Sequence, residues 1–76
     1  MYVNLKIEML KKNMGVDRLT ELMIRDYGLK CSVSNMYAKI RGESRFTMEE
    51  SDAIHDIMGK ELSREYLFEK TKTEED

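Results

Sequence analysis

Proline and tryptophan are absent from this 76-residue chain, and cysteine and histidine occur once each. Without proline, no helix is broken by a missing backbone N–H. The single Cys31 excludes an internal disulfide. With no leader-like segment and no run long enough to cross a bilayer, the expected setting is a reducing cytoplasm, away from membranes. One histidine and one cysteine cannot assemble a zinc site of four nitrogen and sulfur ligands. His55 between Asp52 and Asp56 therefore reads as a surface histidine. Cys31 has no neighbouring base to activate it and reads as a bystander thiol. Nor is there a glycine-rich phosphate cradle. These absences exclude the common catalytic centres, so no enzyme, metal, cofactor or small-molecule ligand is expected.

What is present suits one small domain. Hydrophobic residues make up 41% of the chain and charged residues 37%, enough for an ordinary core. A chain this short buries only about 60% of its unfolded surface, which calls for tight helical packing or an oligomeric partner. Charge is divided unevenly. Residues 1–45 hold nine Lys/Arg against five Asp/Glu, a net +4, while residues 46–76 hold four against ten, a net −6. Such asymmetry implies a basic face opposite an acidic one.

The glycines punctuate the chain at Gly15, Gly28, Gly42 and Gly59. Each interval fits a short helix and its turn, with glycine as the left-handed stop. Apolar residues at Val3, Ile7, Leu10 and Met14 follow helical spacing after Asn4 as cap. Asp17 starts a second helix carrying Leu19, Leu22, Met23 and Tyr27, with Ile24 broadening its apolar face. Ser32 or Ser34 starts a third, with Val33, Met36, Tyr37 and Ile40 in helical register. Thr47 and Glu50 form a capping box ahead of Ile54, Ile57 and Met58. Ser63 opens a fifth helix with Tyr66, Leu67 and Phe68. The expectation is an all-α domain over 1–69, with helices near 4–13, 18–27, 33–41, 48–58 and 63–69. Residues 70–76 read as an acidic disordered tail.

The order of these signals from Val16 to Phe68 resembles the compact five-helix, helix-turn-helix family of lambdoid phage repressors and Cro. Ser32 matches the family's cap, Met36 its apolar anchor four residues later, and Gly42 its closing glycine. Lys39-Ile40-Arg41-Gly42 with Phe46-Thr47 is similar to a phage-associated subgroup of short repressors. Two features depart from the pattern. Leu22, Met23 and Ile24 stand where the family usually has alanine, and the turn from Gly28 to Ser32 is two residues longer.

The resemblance implies that the third helix enters the major groove of double-stranded DNA. Val33, Ser34, Asn35, Tyr37 and Ala38 would then face base edges, with Asn35 suited to adenine and Val33 to a thymine methyl. Arg41, Ser44 and Arg45 match the family's phosphate grip, and Lys30, Lys39 and Arg18 lie close enough to join it. Tyr37 falls equally on the core side or the groove side, and Ser34 serves either as cap or as base contact. Tyr66 and Phe68 either seal the core or anchor a homodimer. The implied activity is a phage or prophage transcriptional regulator that occludes an operator as a dimer at the bacterial nucleoid. The net negative charge supports an alternative, a protein-binding module on the same fold, such as an antirepressor or an inhibitor of a host factor.

Overall fold

A computed structural model describes residues 1–69, and the tail expected over 70–76 lies outside them. The described chain is all-helical. It runs α1 (Val3–Lys11), α2 (Val16–Tyr27), α3 (Val33–Arg41), α4 (Met48–Met58) and α5 (Arg64–Leu67). No helix among the described residues is long and apolar enough to cross a membrane.

Helix α1 corrects the expected phase. Its buried stripe is Tyr2, Leu5 and Met9, whereas Ile7 is 39% exposed and Leu10 77%. Both stripes have helical spacing, so periodicity alone does not choose between them. The buried one is interrupted by Glu8, which hides it from a hydrophobic reading. Glu8 is nonetheless buried, because its Oε2 accepts a hydrogen bond from the Tyr66 hydroxyl at 2.9 Å. Asn4 does not cap α1. Its side-chain amide instead donates to the Tyr66 carbonyl at 2.9 Å, so two polar side chains of α1 tie down α5.

Asn13, not Gly15, takes the left-handed turn after α1, at φ 53°. Gly15 is extended and precedes α2 as its N-cap, the position expected of Asp17. Asp17 sits in the first turn, where its negative charge meets the positive pole of the helix. On α2 the buried residues are Leu19, Thr20 and Met23, and Ile24 turns outward. Thr20 is accommodated because its hydroxyl donates to the Val16 carbonyl at 2.8 Å. Gly28 stops α2 in the left-handed conformation, and the Leu29 N–H reaches back to the Met23 carbonyl at 3.2 Å. With the Gly28 N–H on the Ile24 carbonyl at 3.1 Å, this left-handed cap satisfies carbonyls that the helix end would otherwise leave bare.

The long turn that follows does not dangle. Leu29 and Cys31 are half-buried against the core, which pins both ends of the segment leading to α3. Burial is the main cause raising the Cys31 thiol above its ordinary pKa, with the Glu50 carboxylate adding to it. Helix α4 begins with the expected capping box. Glu50 N–H donates to Thr47 Oγ1 at 3.1 Å, and Thr47 N–H donates to Glu50 Oε1 at 2.9 Å. Met36, Ile54, Met58 and Leu67 join Leu5, Leu19 and Met23 as fully enclosed side chains.

Three aromatic rings close the remaining side. Tyr2, Phe46 and Phe68 have centroids 5.3, 5.4 and 6.0 Å apart, each pair tilted or edge-on. They come from the N-terminus, the loop before α4 and the end of α5. Edge-to-face packing of this kind adds roughly 0.5–1.5 kcal/mol per pair beyond area burial. The ring cluster thus sews distant chain segments together.

Candidate nucleic-acid interface

Helix α3 is short and two-faced. Met36 and Ile40 are buried, and Val33, Ser34, Asn35 and Tyr37 are exposed. The cap explains why the N-terminal residues are available. Ser32 Oγ accepts from the Asn35 N–H at 3.2 Å, so Ser32 and not Ser34 closes the helix end. Ser34 hydroxyl and Asn35 amide make no hydrogen bond to any described residue. Tyr37 belongs to the exposed side, with 49% of its surface open. Ala38 is half-buried, which leaves it the least accessible of the five expected base contacts.

The expected phosphate contacts sort into three groups. Lys30 and Arg45 are exposed and pair with no described carboxylate, and Ser44 is exposed and free as well. Arg18 and Arg41 are about half exposed and lean on neighbours. Arg18 Nη1 meets Glu21 at 2.9 Å, and Arg41 meets Glu43 at 2.9 and 3.3 Å. The Arg41 hydrogen bonds hold the Glu43 carboxyl below its ordinary pKa. Exposed pairs like these are worth about 0–1 kcal/mol, so a phosphate can displace the carboxylate at little cost.

Lys39 departs from the expectation. Its ammonium lies 2.6 and 2.7 Å from the two oxygens of Glu50, with only 15% of the side chain exposed. The Glu50 side chain is 6% exposed, so the pair joins α3 to the cap of α4 from inside the molecule. A lysine held there has no reach to a phosphate. The partners Glu21, Glu43 and Glu50 were missed. Glu21 was findable, since three residues from Arg18 on a helix is pairing distance.

Tyr66 and Phe68, the expected dimer anchors, make contacts within their own chain. Tyr66 bonds Glu8, which raises the tyrosine pKa, and Phe68 belongs to the ring cluster. Away from α3, Tyr27 donates a hydrogen bond to Asp56, the main cause pushing the tyrosine pKa up to about 12. His55 Nε2 lies 2.7 Å from the Leu62 carbonyl and braces the turn after α4. Among the described residues no group of three His, Cys, Asp or Glu is arranged to hold a metal.

A second surface was not anticipated. An open groove of about 480 Å³ runs between α1 and α3, floored by Met9 and Ile40 and walled by Leu10 and Tyr37. Lys6 and Arg41 stand on its rim. Compared with protein-family models, curated proteins and solved structures, the chain matches none.

Proposed function

We propose that this chain is a sequence-specific DNA-binding transcriptional regulator that acts by occluding its operator, with α3 as the groove-reading helix. The observation that carries this reading is the free polar edge of α3. Ser34 and Asn35 sit at the exposed N-terminal end of a capped helix, unspent within the protein. Hydrogen-bonding side chains at that end of a helix suit base edges in a major groove about 12 Å wide. Lys30 precedes the helix, Arg41 ends it, and Ser44 and Arg45 follow it. Polar and cationic side chains at both ends of a groove-reading helix suit phosphates of the duplex backbone, which position the protein and make its affinity salt-dependent.

Net charge does not oppose the reading. The carboxylates Glu49, Asp52, Asp56 and Glu65 are exposed on α4 and α5, whereas the exposed side chains of α3 carry no acid. A short recognition helix touches few base pairs, so two copies on half-sites about 34 Å apart are the expected operator-bound form. The test is a titration of mixed-sequence duplex at low ionic strength, followed by selection from a random duplex pool. Binding that weakens linearly with log salt, and a recovered half-site repeat, support the proposal. No binding to any duplex at low salt overturns it.

A further inference from the structure

Helix α1 carries an apolar stripe that the core does not use. At 100° per residue, Val3, Ile7 and Leu10 fall within about 60° of one another on the helix surface. Ile7 and Leu10 are exposed, and Leu10, at 77%, is the most exposed large apolar side chain among the described residues. Lys6 flanks the stripe on one side and Lys11 on the other. Beside Leu10 opens the groove between α1 and α3, with Met9 and Ile40 as its floor, Tyr37 opposite, and Lys6 and Arg41 at the edge. The only acidic residue among the first fifteen, Glu8, points inward to Tyr66 and Lys11. Isolated exposed leucines need no explanation, but one that walls a concave apolar surface does, here with Lys6, unpaired among the described residues, at the edge and Arg41 held only by the exposed Glu43.

We propose that this groove is a docking site for an acidic amphipathic helix of a partner protein. The rim charges select the occupant. A second copy docking stripe on stripe would bring the flanking Lys6 and Lys11 of both copies together, and like charges brought together repel. A partner helix with apolar anchors at i, i+3, i+4 and i+7 and glutamates on its flanks meets the groove with its anchors and the cations with its acids. Methionine in the floor helps, since its flexible thioether adapts to varied anchors. Tyr37 and Arg41 belong both to this groove and to the DNA surface proposed above. On that reading, an occupied groove and a bound duplex exclude each other.

The experiment titrates the full chain into a labelled synthetic peptide that has Leu and Phe anchors at those spacings and glutamate flanks. Its twin carries lysine in place of every glutamate. Saturable binding of the acidic peptide is expected, with the lysine twin at least about tenfold weaker. Leu10→Ser and Lys6→Glu should each weaken the acidic peptide by about tenfold, an ordinary loss for an interface anchor. Both positions are exposed, so an unchanged thermal melt shows that the variants fold. Equal binding of the two peptides, no saturation, or no effect of Leu10→Ser overturns the proposal. So does self-association abolished by Leu10→Ser, or a preference for phosphatidylserine vesicles over the peptide. Displacement of bound duplex by the acidic peptide tests the exclusion separately. If no duplex binds at all, the regulator reading falls while the peptide titration still decides the groove.

Discussion

Arg41 ends α3 and Arg45 stands four residues beyond it, yet only Arg41 has a carboxylate on it. A free arginine releases one counterion from DNA when it binds phosphate, and an arginine that must first leave Glu43 contributes less. Arg45→Ala should therefore weaken all duplexes alike and reduce the salt slope by about 0.9 log units per log unit of salt. Arg41→Ala should do less, and Glu43→Gln should strengthen binding. Lys39→Met should leave the slope unchanged, because that lysine is spent on Glu50; a fall of about 0.9 would place it on a phosphate after all. Fluorescence titrations over a salt series measure all four. Asn35 belongs to a different class. If its amide reads a base edge, Asn35→Ala should cost about 1–3 kcal/mol on a selected operator and nothing on random DNA. Equal losses on both would reduce Asn35 to a backbone contact.

At the scale of elements, the joint between α3 and α4 places a cap bond and an ion pair on one carboxylate. Glu50 accepts from Thr47 N–H, completes the capping box and holds Lys39. Thr47→Ala removes only the cap hydroxyl and should cost about 1 kcal/mol in urea denaturation. Lys39→Met leaves a nearly enclosed carboxylate without its cation, which costs on the order of 3 kcal/mol. Restoring neutrality with Lys39→Met/Glu50→Gln should recover part of that loss. Additive costs in the double variant would dissolve the joint. These elements also show what was legible in the sequence. Helices α2 to α4 announced themselves through Gly28, Gly42, Ser32 and the Thr47–Glu50 box, because caps and stops are local chemistry. The face that α1 buries was not legible. Two stripes competed there, and the choice depends on Tyr66 receiving Glu8 from more than fifty residues away. The exposed edge of α3 was legible from register, whereas the loss of Lys39 to Glu50 required knowing how two helices meet.

At the scale of the whole molecule, the chain ends are held by contacts of two kinds, with different signatures. The Tyr66 hydrogen bond, with Lys11 beside it, depresses the Glu8 pKa in the folded state. A depressed carboxyl stabilises the fold fully above its unfolded pKa, near 4.3, and loses that contribution as pH falls through the lower folded value. Glu8→Gln should thus lower the melting point at pH 7 and flatten the acid limb of the profile, so that the difference from wild type shrinks as pH falls below about 4.5. An unaltered acid limb would rule out Glu8 as a contributor. The aromatic cluster is insensitive to pH and addresses assembly instead. Phe68 packs on Tyr2 and Phe46 of its own chain, and it is only half-buried. If those contacts account for its stabilising effect, Phe68→Ala costs about 2 kcal/mol. At roughly 4–8 °C per kcal/mol for a domain this small, the melting midpoint falls by about 10 °C. That fall should be the same at every protein concentration, and the wild-type midpoint should not depend on concentration either. A ring shared between two copies behaves otherwise, because association raises the midpoint with protein concentration by mass action. Calorimetry across a hundredfold range of concentration separates the two cases. A wild-type midpoint that climbs with concentration, and a Phe68→Ala midpoint that does not, would return Phe68 to an interface between protomers.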